Sequence, residues 1–210
     1  MKIADIRKEY SSKILEINEV EKSPLEQFKR WMEEALSAKV MEPNAMNLAT
    51  IGLDGRPCSR IVLLKGIDHG FVFYTNYSSK KGRELTENPF ASLNFFWPEM
   101  ERQVRIEGKT ERVSEQESDE YFLSRPLESQ IGAWTSPQSQ EIPDRLYLEE
   151  KRKSYEEKFS REALYRPAHW GGFRLIADRL EFWQGRPGRL HDRVKYERKG
   201  NAWKIVRLAP

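Results

Sequence analysis

Apolar residues recur at two different periods along this chain, and the switches between them mark out its elements. Ser23-Pro24-Leu25-Glu26 is a helix start: serine to cap, proline at the first helical position, glutamate three residues after the cap. Phe28, Trp31, Met32 and Leu36 then fall at helical spacing as a core-facing stripe, and the first forty residues read as helical. From Met46 the period drops to two. Residues 47–52 and 59–65 are β-rich runs on either side of Asp54-Gly55, the pattern of a hairpin. Residues 70–75 give a third strand, 79–87 a helix, 91–97 a strand, and 103–108 alternate as a half-buried strand does. Residues 114–124 and 144–159 are charged with helical spacing, and the Ser/Gln/Pro-rich stretch 135–143 between them is a loop that includes Gln138-Ser139-Gln140. Two further strands are expected at 172–176 and 180–183. A closing hairpin runs from 194–197 to 202–206 across Lys199-Gly200-Asn201. Hairpins with helices between them predict an α+β fold, mainly β with flanking helices, whose six or more antiparallel strands close as a barrel.

Composition narrows the class. The 210 residues are 38% apolar and include 6 Trp, 8 Tyr and 10 Phe, an aromatic load that disordered chains lack. A chain of this length buries roughly 70% of its unfolded surface and needs no covalent staples. Lys and Arg total 36 against 33 Asp and Glu, so the net charge is only +3. That balance argues against a nucleic-acid binder, and any basic residues that matter act locally. The lone Cys58 excludes an internal disulfide, and with 3 His a zinc enzyme is not expected. No apolar run approaches the ~18 residues of a membrane span, and the charged start carries no signal-like apolar region. A cytoplasmic protein is expected. No repeat or linker splits the chain, which reads as an N-terminal segment over 1–20 and one domain over 21–210.

Four clusters carry candidate chemistry. Arg60 and Lys65 bracket Ile61-Val62-Leu63-Leu64; period-two alternation points these cations to opposite faces unless a bulge intervenes, and a cation flanking a buried strand is normally a solvated strand end rather than a ligand. Tyr74-Thr75-Asn76 leads into Ser78-Ser79-Lys80-Lys81, where a strand ends and cations open a helix. An amino-terminal helix end attracts an anion, so this is either a phosphate site or a solvated helix start. Tyr121 and Arg125, four apart on one helical face, stand near Ser129 as an oxyanion grip or as an ordinary charged helix face. Finally, alternation puts Arg189, His191 and Arg193 on one face of an extended segment after Trp183. Two guanidiniums there would hold the imidazole neutral unless an anion binds. Spacing alone goes no further than a binder of phosphorylated small molecules.

These segments, together with Glu101-Arg102-Gln103-Val104, Ser124-Arg125-Pro126, Ser129-Gln130-Ile131-Gly132-Ala133-Trp134, Trp170-Gly171-Gly172-Phe173-Arg174, Arg189-Leu190-His191-Asp192-Arg193 and the ending Arg207-Leu208-Ala209-Pro210, resemble the pyridoxine (pyridoxamine) 5′-phosphate oxidase family over nearly the whole chain. The resemblance implies an FMN-binding split β-barrel and a homodimer with FMN at the interface. It implies oxidation of pyridoxamine 5′-phosphate or pyridoxine 5′-phosphate to pyridoxal 5′-phosphate, with O2 as acceptor, giving hydrogen peroxide and, from the amine, ammonia. Carried over by position, Arg60, Lys80 and Lys81 would take the FMN phosphate, and Ile61, Val62, Leu63, Leu64, Lys65, Tyr74, Thr75, Gln103, Gln138, Ser139, Trp183 and Arg193 would line the flavin site. Lys65, Tyr121, Arg125 and Ser129 would surround the substrate phosphate. Arg189, Leu190 and His191 would flank the substrate ring, with Arg189 and His191 acting in the reaction. Arg7, Lys8, Glu9 and Tyr10 would close over the substrate. Where the family pattern has Arg-Lys, this chain has Lys80-Lys81, which keeps the charge and loses a planar bidentate fork. The rivals are a flavin split-barrel protein with another substrate, disfavoured by Tyr121, Arg125, Ser129 and Arg189-Leu190-His191, and a pyridoxal phosphate carrier, which would consume no oxygen.

Overall fold

The computed structural model describes residues 3, 9, 10 and 13–210. Helix α1 (Pro24–Ser37) starts where expected: the Ser23 hydroxyl accepts the Glu26 amide proton at 3.5 Å. Its apolar stripe is Phe28, Trp31, Met32 and Ala35, while Leu36 faces solvent. The expectation of helix across the first forty residues is not met, since residues 13–23 hold no helix. Their backbone is engaged by side chains instead. Leu15 N–H donates to Asp192, and the Leu15 and Lys13 carbonyls accept from Arg207 and Arg186. Those bonds satisfy polar groups that a helix would have satisfied internally.

Among the described residues, nine antiparallel strands make one curled sheet. β1 (Ala45–Ile51) and β2 (Pro57–Leu63) form the hairpin at Asp54-Gly55, where Gly55 takes a φ of 80°. Outward from β2 the order is β2, β1, β5 (Phe90–Trp97), β6 (Arg102–Arg112), β7 (Trp170–Gln184), β4 (Phe71–Asn76), β3 (Gly66–Ile67). The two ends of this list, β2 and β3, are consecutive in the chain. The seam therefore falls at Leu64-Lys65: Leu64 N–H bonds to Asn44 on one side, and Lys65 N–H to Val72 on the other. This is a split barrel. β8 (Asp192–Lys199) and β9 (Ala202–Leu208) extend the sheet from the far half of β7.

The expected strands at 172–176 and 180–183 are one strand, β7, which pairs with β4 over its first half and β8 over its second. Its register with β6 slips between Glu107 and Gly108, so Gly108 faces Ala177 while Glu107 faces Arg179. That bulge interrupts the alternation. Phe173, Leu175 and Ala177 are buried before it, and Leu180, Phe182 and Gln184 after it, so parity changes midway.

α1 plugs the barrel. Phe28 sits edge-on to Phe71 and Phe95 at 5.0 and 4.9 Å, and Trp31 meets Phe182 at 5.1 Å. Each such side chain contributes about 1.5–3 kcal/mol of burial. Among the described residues, four more α-helices flank the sheet. α2 (Lys80–Glu87), α3 (Glu115–Ser124) and α5 (Arg145–Phe159) are capped by Ser79, Ser114 and Asp144, at the starts the sequence predicts. α4 (Leu127–Thr135) was not anticipated. No helix among the described residues is long and apolar enough to cross a membrane.

Candidate active site

The seam opens into a cleft of about 440 Å³. Ile61, Val62 and Leu63 of β2 and Lys65 at the seam line one wall, while Arg60 turns inward to Thr50 and Glu84, so the two cations do take opposite faces. Tyr74 and Thr75 come from β4 and Lys81 from α2. The first turn of α2 lies hard against the end of β4; a Cβ at Gly82 would come within 2.3 Å of the Tyr77 carbonyl. That contact sets Lys81 beside Thr75. Both donate to the Gln138 side-chain oxygen, at 3.1 and 3.2 Å. Ser139, exposed beside it, has a φ of 68°. Lys80 is more exposed and, among the described residues, reaches only Glu84, at 4.0 Å.

The opposite wall is the α3–α4 corner. Pro126 ends one helix and begins the next, and Gln130 donates to the Leu123 and Arg125 carbonyls, fixing the turn. Tyr121, Arg125 and Ser129 face the cleft with Lys65. Arg174 anchors α3 by bridging Asp68 (2.6 Å) and Glu117 (3.0 Å), and Arg166 grips Glu115 and Asp119. Tyr121 stacks on Tyr74 at 3.9 Å, nearly parallel to Trp170. Burial, then the nearby Glu117 charge, push the Tyr74 phenol up to about 12, so it stays protonated at neutral pH.

Arg125 is the unusual group here. Its guanidinium lies 4.5 Å over the Trp170 ring, and its buried Nη1 finds no hydrogen-bond partner among the described residues. Burial lowers its pKa. Burial, and then the charge of Arg60, also lower that of Lys81. A half-buried guanidinium with a spare donor and an ammonium crowded by another cation are what an anion would relieve.

A second group of residues stands elsewhere. Gln103, Trp183 and Arg193 are register partners across β6, β7 and β8. His191 packs on Trp183 at 4.6 Å, and its Nδ1 accepts the Arg186 amide proton at 3.1 Å, which leaves Nε2 as the donor. Arg193 binds Glu181 through two bonds of 2.9 Å and the Ala209 carbonyl at 2.8 Å. Tyr10 lies edge-on to Trp183 (5.7 Å) and near His191 (5.9 Å). Glu9 is exposed, while Arg7 and Lys8 lie outside the described residues.

One expectation about this group fails. Residues 187–189 form a 3-10 turn with Gly188 and Arg189 both at φ 62°, so Arg189 is not in an extended row with His191 and Arg193. The left-handed arginine costs of order 1–2 kcal/mol, and it holds Arg189 and Leu190 out in solvent.

The two groups do not meet within one chain. Arg125 packs on Trp170 and His191 on Trp183, and these rings mark the two ends of β7. At ~3.3 Å per residue the two rings are roughly 40 Å apart along the strand. Gln130 and Trp170, which support the α3–α4 corner, carry no chemical signal by residue type, although Ile131 and Trp134, three apart, fit a helix there.

Comparisons with known proteins agree across the chain. Residues 32–158 match the family model described as pyridoxamine 5′-phosphate oxidase, and residues 170–210 match that of the pyridoxine 5′-phosphate oxidase C-terminal dimerisation region. The pyridoxine/pyridoxamine 5′-phosphate oxidases of Cytophaga hutchinsonii and Ralstonia pickettii are each 56% identical, over 99% of this chain and 98% and 99% of their own lengths. Among solved structures, PhzG from Burkholderia lata, in complex with tetrahydrophenazine-1-carboxylic acid, superposes with a TM-score of 0.90 at 36% identity, covering 97% of this chain and all of that one. A pyridoxamine 5′-phosphate oxidase-related, FMN binding protein from Nostoc punctiforme shares the fold at a TM-score of 0.71 and 15% identity, over 90% of this chain and 98% of its own. By family models that span most of its length and by relatives identical at more than half of their positions, the chain belongs to the pyridoxamine 5′-phosphate oxidase family.

Proposed function

We propose that this protein is an FMN-dependent oxidase that converts pyridoxamine 5′-phosphate and pyridoxine 5′-phosphate to pyridoxal 5′-phosphate, reducing O2 to hydrogen peroxide. The observation that carries this reading is the cleft at the seam, where Lys65, Tyr121, Arg125 and Ser129 face one another and Lys81 lines the same hollow, with Arg60 behind it on the inward face of β2. Two anion grips in one hollow suit a phosphorylated substrate lying on a phosphorylated cofactor.

Lys81 and Arg60, with Thr75 and Gln138, would hold the FMN phosphate. Lys65, Arg125, Ser129 and the Tyr121 hydroxyl would hold that of the substrate. When bound, FMN supplies the hydride acceptor and the reaction with oxygen. The residues of this chain supply position. Anchoring the phosphate far from the reacting carbon fixes the substrate ring without consuming interactions at that carbon. Arg189, free of the strand row, would orient and polarise the substrate, and His191 would steer it through its Nε2 proton.

A pocket holding both groups requires two chains, the cleft of one protomer meeting the Trp183–His191 end of β7 from its partner. The match to a dimerisation region over residues 170–210 supports this arrangement, since that region holds Trp183, Arg189, His191 and Arg193. So do the buried side-chain oxygens of Asn47 and Asn94, register partners on the outer sheet face that find no donor among the described residues. Tyr10 on the Trp183–His191 surface fits closure by the N-terminal segment over the same pocket.

Anaerobic addition of pyridoxamine 5′-phosphate to the yellow protein should bleach its visible flavin absorbance, and air should restore it with release of peroxide. A protein that binds the substrate yet neither bleaches nor consumes oxygen would be a carrier.

A further inference from the structure

Glu84 is 1% exposed, yet it stands one turn into a helix that opens with two lysines. Its Oε2 accepts from the Thr50 hydroxyl at 2.5 Å and from Arg60 Nη2 at 3.0 Å. Arg60 Nη1 in turn donates to Thr50 Oγ1 (2.5 Å) and to the Leu48 carbonyl (3.3 Å). Burying a carboxylate against a guanidinium is not a cheap route to stability, because desolvation offsets most of the attraction. A hydrophobic pair would serve packing as well. What the ion pair does provide is orientation.

The orientation follows from counting protons. A guanidinium has five N–H groups. Both on Nη1 are taken, by Leu48 and Thr50, and one on Nη2 is taken by Glu84. Thr50 and Glu84 are bonded to each other, which fits both of them to the end-on fork formed by Nη1 and Nη2. The Nε proton and the second Nη2 proton have no acceptor among the described residues, and they form the parallel side-on fork that suits two oxygens of one phosphate. The bond to Glu84, three residues after Lys81 in α2, ties Arg60 to the helix that carries Lys81, and after burial the Arg60 charge lowers the Lys81 pKa.

We propose that Glu84 is a positioning residue for the cofactor phosphate. With Thr50 it holds Arg60 by one edge, so that the other edge and Lys81 together receive the phosphate of FMN. Glu84 touches neither cofactor nor substrate. This rests on the reading of the cleft as an FMN site, and the test separates the two.

The flavin-free full-length protein is titrated with FMN and with riboflavin, which lacks the phosphate, by quenching of flavin fluorescence. The wild type should prefer FMN strongly; equal affinities would overturn the site reading and this inference with it. Glu84→Ala should weaken FMN binding about 10- to 100-fold while changing riboflavin affinity less than about threefold. Glu84→Gln, which retains an acceptor oxygen, should recover most of that loss. Thr50→Val should show a smaller loss of the same selectivity, and in an Arg60→Ala background Glu84→Ala should cost nothing further. Equal weakening of both flavins would make Glu84 merely structural and overturn the proposal. So would tighter FMN binding in Glu84→Gln, which would mean that the carboxylate only repels the phosphate.

Discussion

Replacing Arg125 with methionine should make the empty protein no less stable while crippling it as an enzyme. Methionine keeps an unbranched apolar stem but loses the charge, the guanidinium packed on Trp170 and the buried, unpartnered Nη1. Removing an unsatisfied buried donor recovers about 1–3 kcal/mol. Losing the cation–ring contact gives back about 0.5–2 kcal/mol. The balance centres on about 1 kcal/mol of added stability, or roughly 2–4 °C in Tm for a chain of this size. The substrate phosphate meanwhile loses charge-assisted hydrogen bonds worth about 1.5–3 kcal/mol, so kcat/KM with pyridoxamine 5′-phosphate should fall about 10- to 150-fold. Calorimetry on the flavin-free protein and steady-state oxygen uptake measure the two sides, and FMN affinity should stay as in the wild type. A variant that melts several degrees lower yet keeps kcat/KM within about twofold would refute the reasoning. Arg125 would then be a structural cation whose spare donor serves nothing.

Three further outcomes are expected. If the pocket is built from two chains, Arg125→Ala and His191→Ala, each nearly inactive alone, should give about a quarter of wild-type activity when co-expressed as mixed dimers, because half the dimers then hold one intact site; a mixture as inactive as its parents excludes a shared pocket. Arg189→Ala should lower kcat by about a hundredfold with little change in FMN retention, as absorbance of the purified protein reports; parallel losses would make it a structural residue. Asp68→Asn tests the Arg174 anchor. Burial alone would raise the Asp68 carboxyl, but bonds from Arg174 and Gly70 and the Arg174 charge hold it below its ordinary 3.8. Its stabilising effect is therefore full above that value and is lost as pH falls through the lowered one. In urea titrations the gap between wild type and variant should be open at about pH 6 and close by about pH 2; a gap independent of pH would contradict the sign.

Much of the fold could be read locally. Ser23-Pro24, Ser79, Ser114 and Asp144 each announce a helix through one side chain and one amide, and Asp54-Gly55 announces its hairpin through one backbone torsion. What the sequence hid is long-range. Residues 13–23 lack a helix because Arg186, Asp192 and Arg207, nearly two hundred positions away, claim their backbone. β7 looked like two strands because its alternation changes phase at a slip in the register with β6. The site divides the same way. Lys65, Tyr121, Arg125 and Ser129 do share a cleft, but nothing in residue type or spacing says that Arg189 and His191 stand a strand's length away. The 3-10 turn that removes Arg189 from its row follows from Pro187-Gly188, a signal present in the sequence.

The register slip in β7 also decides which way the molecule looks. Trp170 and Trp183 are separated by an odd number of positions, so an uninterrupted ribbon would send one ring outward and the other into the barrel, where Phe182 now sits. One supernumerary residue, Asp178, cancels that mismatch and lets both aromatic platforms, with Gln103 and Arg193 in line, look outward. Removing that residue would leave a regular ladder with both rings still outward, because their separation becomes even. Straightening the ribbon with the residue kept would instead slide its far half by one position, swap tryptophan for phenylalanine at the surface, and blind one end of the protein to whatever approaches it.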